Sequence, residues 1–521
     1  MTMLLAFFFP PERPIFYQLH PDHWNALYEW TAFDLTILAA YLSVLGILAV
    51  YGVHRYHLVY LYLKNKHKVV TPKGRFESLP RVTVQLPIYN EQYVVERLIE
   101  SACRIRYPKE LLEIQVLDDS TDGTKEIALA CVEQYKALGF QIEHIHRANR
   151  NGYKAGALEN GLKLAKGQYI AIFDADFLPA ENFLEDVIQY FTDDQVGMVQ
   201  ARWGHINREY SLLTQVESIL LDGHFIIEHG GRHLSGRFFN FNGTAGIWRR
   251  EAIESAGGWE HDTLTEDTDL SYRAQMAGWK FLYLPHIVCL AELPVEMNSF
   301  KTQQSRWAKG LVQTGMKLLP RILKSDLPLK IKVEAFFHLS ANIAYPLMIL
   351  MSLLLLPAMI VRFNQGWFQV LYIDLPLWLL STASVSTFYL VAQKELYLDW
   401  RRRLLYLPFL MALGIGLSVV NSKAVIEALL GIKTSFKRTP KYRIVNKTDR
   451  WYTKDYLRRT GALPVLELLL GLYFVLVATY AFWNENYPSI AFLMLFIVGF
   501  MYMGLMSLVH MTLRRFRSAT E

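Results

Sequence analysis

The chain has 521 residues, 52% of them hydrophobic and 20% charged, and its mean hydropathy of +0.14 is too apolar for an ordinary soluble domain. This composition excludes a disordered chain and a small disulfide scaffold, and it points to a membrane protein. The net charge of +6 is a mild and unevenly spread excess, so no nucleic-acid partner is expected.

In chain order, Leu4 to Phe9 is apolar but has no basic residues before it and no small-residue cleavage site after it, so a cleaved leader is not expected. Leu35 to Val53 is a run of 19 uncharged residues, long enough to cross a hydrocarbon layer of about 30 Å. Arg55, Lys64, Lys66 and Lys68 follow it, and a basic flank of this kind marks the cytoplasmic side. The N-terminus is then expected outside and the long polar stretch, residues 64–332, inside.

Within that stretch, β-rich runs (Arg81 to Leu86, Glu113 to Leu117, Gln141 to His146, Gln168 to Phe173, Gly197 to Arg202) alternate with helical patterns such as Glu91 to Cys103 and Thr124 to Leu138. Alternation of this sort predicts an α/β domain with a mostly parallel, doubly wound sheet, whose ligands gather at the carboxyl ends of the strands. Cys103, Cys131 and Cys289 lie far apart and form no CxxC pair, which fits a reducing compartment and argues against zinc.

Further spans are predicted over Phe336 to Val361, Leu375 to Ala392, Ala462 to Trp483 (with Glu467) and Pro488 to Met511. Leu404 to Val420 has 17 residues and basic flanks on both sides, Lys394 and Arg401 to Arg403 before it and eleven Lys/Arg against three acids over residues 422–462. Both flanks therefore read as cytoplasmic, and the segment is expected to lie in the interface or re-enter, with Lys423 to Lys433 continuing as an amphipathic helix. A sixth crossing is the alternative. Asn484 to Tyr487 carries no basic residue, while Arg514, Arg515 and Arg517 follow the last span, so five crossings close the topology. Asp374 and Glu467 read as residues near span ends, and His338 as a packed helix histidine.

The expected domains are an N-terminal segment with one span at about 35–53 (residues 1–63), a cytoplasmic α/β domain ending in interfacial helices (64–332), two spans (333–392), an interfacial or re-entrant segment with a basic loop (393–461), and two spans with a short inward tail (462–521). About ten residues follow the last span, so regulation is expected from another protein.

Three carboxylate clusters fall after or between the strands: Asp118 with Asp119, Asp174-Ala175-Asp176, and Thr265-Glu266-Asp267. An Asp pair after a strand is commonly a turn or a cap, but three clusters on one sheet edge suit a ligand. Asp-x-Asp offers two hard oxygens to a divalent cation that completes its shell with phosphate oxygens, as a nucleoside diphosphate supplies. Such an ion stabilises a departing diphosphate, and a separate carboxylate can deprotonate an acceptor hydroxyl. The P-loop, the dinucleotide fingerprint and the His-Glu-x-x-His zinc motif are all missing from the chain.

Taken together, Gln85 to Glu91 (QLPIYNE), Val116 to Thr124 (VLDDSTDGT), Asn149 to Leu158 (NRNGYKAGAL), Phe173 to Phe177 (FDADF), Phe241 to Arg249 (FNGTAGIWR), Thr265 to Asp267 (TED) and Gln303 to Trp307 (QQSRW) resemble, in order, the motifs of the processive family 2 glycosyltransferases, the superfamily of cellulose, chitin and hyaluronan synthases. The wording of NRNGYKAGAL, VQARW (Val199 to Trp203) and FNGTAGIWR resembles most the plant cellulose-synthase-like A and C branches, a resemblance that implies β-1,4-mannan or glucomannan or the glucan backbone of xyloglucan. The likeness covers about residues 80–445.

The resemblance implies a GT-A-like cytoplasmic nucleotide-sugar transferase domain inserted between α-helical transmembrane segments. It implies a multi-pass enzyme that adds hexose from UDP-glucose or GDP-mannose to a growing β-glycan, inverts the anomeric centre and translocates the product. By the same likeness, Asp119 with Asp118 holds base and ribose, Lys154 lies near the diphosphate, and Asp176 with Asp174 binds Mg2+ or Mn2+. Asp267 is the general base, with Glu266 beside it. Gln303, Arg306 and Trp307 can share one helix face; Arg306 suits phosphate and Trp307 offers its ring to the terminal acceptor sugar. Asn242, Gly243 and Thr244 are implied at the acceptor site.

Thr434 to Lys441 (TSFKRTPK) resembles the family's gating loop, with Phe436, Thr439 and Lys441 in place and Arg438 where the pattern has Val. Thr439 and Lys441 are then expected to touch phosphate. Partners implied are the nucleotide sugar, the polysaccharide, the lipid bilayer, and accessory export or modifying proteins. The alternatives are a non-processive transferase acting on a lipid acceptor, and a transporter or scaffold that kept the fold.

Overall fold

The computed structural model describes residues 31–364, 376–377, 379–434, 436, 438–454 and 461–518. It divides into two compact units: Leu58–Ser340 with Glu427–Leu457, and a second made of Met1–His57, Ala341–Ile426 and Arg458–Glu521.

The first unit is built on seven strands, β1 (Val82–Ile88), β2 (Leu112–Asp118), β3 (Gln141–His146), β4 (Tyr169–Ile172), β5 (Val196–His205), β6 (Gly246–Arg249) and β7 (Lys280–Ala291), ordered β3-β2-β1-β4-β6-β5-β7. All neighbours run parallel except β6, which is antiparallel to β4 and β5. β1 and β2 are buried along their whole length, as strands covered on both faces must be. Alternate residues of the β4 segment feed two cores: Tyr169, Ala171 and Phe173 join one, Ile170 and Ile172 the other. That period of two makes the unit three layers deep.

Helix α1 (Ala32–Asn65) opens the described chain. α2 (Val95–Cys103) buries Val95, Leu98, Ile99 and Ala102, a helical stripe against the first core; α3 (Thr124–Ala137) buries Thr124, Ala128 and Val132. α4 (Tyr153–Leu164) packs into the second core through Ala155, Leu158 and Leu162. The strand order turns back on itself between β1 and β4, the place where such sheets open a crevice. β6 and β7 were not among the expected strands. β7 carries Pro285 and joins β5 across a register shift between Ala201 and Arg202, where the ladder can accommodate a proline.

Three more helices bring in chemistry: α5 (Leu212–Gly223), capped by Ser211 through Thr214 and running into a π-helical turn over His224–His229, then α6 (Glu266–Met276) and the 28-residue α7 (Met297–Lys324). Lys317 of α7 reaches Glu260, Asp262 and Asp269 at 2.5, 2.8 and 3.0 Å, tying α7 to α6 and the loop before it.

Among the described residues, five helices are long and apolar enough to cross a membrane: Ala32–Asn65, Leu329–Arg362, Trp400–Leu429, Leu463–Trp483 and Tyr487–Leu513. Leu404–Val420 lies inside the third, where a turn over Leu404–Tyr406 leads into one unbroken helix, Leu407–Leu429. The expected amphipathic helix over Lys423 to Lys433 is the last part of this helix and stops at Leu429. In the 375–392 stretch, the described chain makes a π-helical turn over Leu379–Ala383 and a helix over Ser384–Leu396. Leu4 to Phe9, Asp374, Leu375 and Ser435 lie outside the described residues, as do the side chains of Arg514, Arg515 and Arg517. Glu467 is buried, and His338 is packed, bonded to the Tyr272 hydroxyl at 2.8 Å.

Candidate active site

The crevice at the strand ends collects most of the carboxylates singled out above. Asp119 follows β2, Asp174 and Asp176 follow β4, and Glu266 and Asp267 form the first turn of α6. All five line one cavity, together with Lys154, Asn242, Gly243, Gln303, Arg306, Trp307, Thr439 and Lys441.

Lys154, on the first turn of α4, places its Nζ 2.5 Å from Asp174 Oδ1 and donates to the Gly243 carbonyl at 2.8 Å. The Asp174 backbone N–H donates to Thr244 Oγ1 at 2.9 Å, so the loop after β4 is sewn to the loop before β6. Gly243 has φ +81°, and a Cβ there would stand 2.8 Å from Asp267 Oδ2. Only glycine lets that backbone come so close to the carboxylate. Burial first, and then the Glu266 carboxylate, push the Asp267 carboxyl up to about 7.

Two expected site residues do not face the cavity. Asp118, the last residue of β2, is buried; its carboxylate accepts the Ser120 N–H at 2.7 Å and contacts His144 Nε2 at 2.8 Å. Burial opposes its charge, yet these bonds hold the carboxyl below its usual range. Neighbouring positions on an extended backbone point to opposite sides, so Asp119 meets the cavity while Asp118 braces the sheet. Asp119 in turn is gripped by Arg147 through Nε at 2.8 Å and Nη2 at 2.5 Å. Thr244 is fully buried and acts through its bond to Asp174.

The basic loop completes the wall. The Phe436 ring stacks on Tyr153 at 5.6 Å between centroids and lies under the Arg306 guanidinium at 4.6 Å. Lys441 Nζ meets Asp176 Oδ2 at 2.6 Å. Burial works against that ammonium, but the Asp176 carboxylate holds its pKa above the ordinary lysine value. Arg438 pairs with Glu91 at 2.9 Å. Burial pushes Glu91 up to about 8 despite Arg438 and Lys441. Downstream, the Tyr442 N–H donates to Glu292 Oε1 at 2.8 Å, and Tyr442, Ile444 and Trp451 pack on Val295.

The family described as "Glycosyl transferase family 2" matches residues 83–256. Glucomannan 4-beta-mannosyltransferase 7 of Arabidopsis thaliana is 32% identical over 448 residues, which is 82% of this chain and 77% of that protein. Glucomannan 4-beta-mannosyltransferase 9 of the same plant is 32% identical over 453 residues, covering 82% and 81%. The chain is a family 2 glycosyltransferase of the cellulose synthase-like superfamily. Among solved structures, the glycosyltransferase is similar to the mannosyltransferase PcManGT from Pyrobaculum calidifontis in complex with GDP-Man and Mn2+, with a TM-score of 0.48 and 20% identity over 75% of this chain and 100% of that one.

Several cavity residues of this glycosyltransferase carried no expected role. Arg150 lies 3.3 Å over the Tyr89 ring, and Glu91 and Glu292 bring acid close to Lys441. Glu91 lies in QLPIYNE and Arg150 in NRNGYKAGAL, just after β1 and just before α4, so their place in those motifs is the available signal. Trp203, His205 and Glu217 also line the cavity; Trp203 ends the run VQARW, while no motif marks His205 or Glu217.

Proposed function

We propose that this glycosyltransferase elongates a β-1,4-linked mannan or glucomannan processively from a nucleotide sugar on the cytoplasmic face of a membrane and passes the chain across. Support for mannose comes from its relatives, which are named as glucomannan 4-beta-mannosyltransferases. Support for the orientation comes from the basic residues after Val53 and around Leu404 to Val420.

The observation that carries the transfer reading is Asp267, a carboxylate pushed up to about 7 at the Gly243 backbone in the same cavity as Asp174, Asp176, Arg306 and Trp307. A carboxylate with that value is a stronger base than an ordinary one, and its ionised fraction, about half near neutral pH, can take a proton from an acceptor hydroxyl. Attack by that hydroxyl on an α-linked donor, from the side opposite the diphosphate, breaks the glycosyl–phosphate bond and leaves a β linkage. Asp119, Lys154, Arg306, Thr439 and Lys441 serve the nucleotide diphosphate, and Gln303, Trp307, Asn242 and Gly243 the acceptor.

Asp174 and Asp176 fit a divalent cation such as Mg2+ or Mn2+: they offer hard oxygens from one short turn, and cations already sit on both carboxylates, Lys154 on one and Lys441 on the other. When bound, such an ion supplies charge stabilisation for the leaving diphosphate. The protein's own part is to hold the phosphates with Lys154, Arg306 and the loop, and to orient the acceptor on Trp307.

The test is incorporation of labelled sugar by the purified chain in lipid vesicles with Mn2+ or Mg2+, comparing GDP-mannose with UDP-glucose and sizing the product by endoglycanase digestion. A long mannanase-sensitive chain from GDP-mannose is expected. A single sugar on a lipid would replace this reading with the non-processive one, and a glucanase-sensitive chain made only from UDP-glucose would overturn the choice of donor.

A further inference from the structure

One wall of the cavity is polar without having a polar partner. Trp203 and His205 stand two residues apart on β5 and share one face of that strand. Glu217 and Leu221 stand four apart on α5 and share one face of that helix. All four line the cavity that holds Asp176 and Asp267.

Glu217 is 0% exposed, and neither of its carboxyl oxygens has a hydrogen-bond partner among the described residues. The same holds for both ring nitrogens of His205, for the Trp203 indole Nε1 and for Gln303 Oε1. Each such group costs stability when buried without a partner, and folded proteins hold few of them. A concentration of orphans on the wall of a binding cavity points to a ligand that carries the missing bonds. Burial keeps the Glu217 carboxyl well above its ordinary value and lowers His205 to about 3, so both meet a ligand in neutral form.

The chemistry of the wall selects the ligand class. A neutral carboxyl, a neutral imidazole and an indole N–H offer donors and acceptors but no positive charge, so phosphate is not their target. One carboxyl and a non-ligating indole make a poor metal shell. Trp203 stands at the same time in an aromatic group with Phe177 at 5.1 Å and Phe225 at 5.2 Å. Hydroxyl-bonding groups beside flat apolar surface match a hexopyranose, which carries several hydroxyls around an apolar C–H face.

We propose that Glu217, with His205 and the Trp203 indole, forms a hexose subsite that bonds the ring hydroxyls of a sugar unit in the cavity and discriminates between hydroxyl configurations. This rests on the reading of the cavity as a sugar-transfer site. The hydroxyls belong either to the donor hexose or to a unit of the acceptor glycan, and the arms of the experiment separate these sources. A site built to bond a hydroxyl rejects the sugar that lacks or misplaces it, because the protein group is then left buried and bare.

The experiment uses the full chain in lipid vesicles, as wild type, Glu217→Leu and Glu217→Gln. Steady-state kinetics are run with GDP-mannose and UDP-glucose and with mannohexaose and cellohexaose as primers, and hexaose binding is measured by calorimetry. Glu217→Leu is expected to raise one KM about 10- to 100-fold while its unfolding temperature holds or rises, since an unpartnered carboxyl has left the interior. A raised donor KM assigns the hydroxyls to the donor sugar, and a raised primer KM with weakened hexaose binding assigns them to the acceptor. Glu217→Gln is expected to restore most of the affinity and to change the ratio of mannose to glucose transfer by about 10-fold.

Unchanged KM values and an unchanged transfer ratio in both variants would overturn the subsite. Should Glu217→Leu fail to fold, Glu217→Gln and His205→Phe decide by the same ratio. Should the wild type transfer neither sugar, the transfer reading fails by itself. Calorimetric binding of the hexaoses and of both nucleotide sugars then still decides: loss of either in Glu217→Leu upholds the subsite, and wild-type binding of both sinks it.

Discussion

At the residue scale, the proposed roles of Asp267 and Glu266 predict a rate that depends on pH in a defined direction. As a base, Asp267 must be ionised, so kcat/KM should climb as pH passes about 7 and level off above it. Glu266→Gln removes a negative neighbour and should move that acid limb to lower pH; an unmoved limb would show that the titrating group is not Asp267. Asp267→Asn should cut transfer about 10²- to 10⁴-fold. It should also stabilise the fold. The folded carboxyl titrates above its unfolded value, so its cost is absent well below pH 4, grows between about 4 and 7 and is complete above 7. The variant should therefore unfold about 2–4 °C later at pH 8 and show a smaller gain at pH 5. The same scale shows what sequence conveys about a site. Asp174 and Asp176 are legible because they form one of three acidic clusters on one sheet edge; alone, such a pair reads as a turn or a cap. Asp118 misleads because one step along an extended backbone turns a side chain to the other face, and nothing in the letters DD says which acid faces out. Glu217 is invisible for a related reason: within LLTQVESILL it reads as the polar side of an amphipathic helix, and only the packing of α5 turns it inward.

At the element scale, α6 and α7 meet where Gly310 lies against the turn that carries Thr265. A Cβ on Gly310 would stand 2.5 Å from Thr265 Cγ2, 2.8 Å from its backbone nitrogen and 2.9 Å from the Leu264 carbonyl carbon. Gly310→Ala has to push that turn, and with it Asp267, away from the helix bearing Gln303, Arg306 and Trp307. Displacements of about 1 Å at a reacting group cost about 10²-fold, so kcat should fall by that order while donor binding by Asp119 and Lys154 is kept. An unaltered kcat would mean that α7 slides without moving Asp267. The basic loop is the second element with a measurable role. Neutralising Arg438 and Lys441 together releases its pairs to Glu91 and Asp176; the donor requirement should rise and inhibition by the product nucleotide should weaken. The paired change of Arg438→Val alone, which restores the pattern the loop resembles, tests whether Glu91 needs its arginine. Strands β1 to β5 are legible in the sequence from their apolar, β-branched runs. β6 has four residues within a motif read for its polar ends, and β7 carries a proline that argues against a strand until the register shift opposite it is seen.

At the scale of the whole molecule, the apolar runs stand out in the sequence, while the number of crossings depends on one segment. Leu404 to Val420 reads as interfacial from its two basic flanks, whereas Trp400–Leu429 has the length and apolarity of a crossing helix. Flank charge and helix length are separate physical criteria, and a cysteine accessibility experiment decides between them. Single cysteines at Arg402 and Lys447 should both react from the cytoplasmic side; labelling from opposite sides would make the segment a sixth crossing.

The transferase unit is discontinuous in the chain. Its sheet, its acids and α7 are complete by Ser340, but Phe436, Arg438, Thr439 and Lys441 return to the cavity only after the intervening apolar helices. Synthesis proceeds from the N-terminus, and domains fold largely in that order. A nascent chain thus holds a folded sheet with an unfinished wall for as long as residues 341–426 are being made. Completion of the wall is contingent on translation having passed those helices, so a half-made chain carries Glu91 and Asp176 without Arg438 and Lys441, the cations that pair with them.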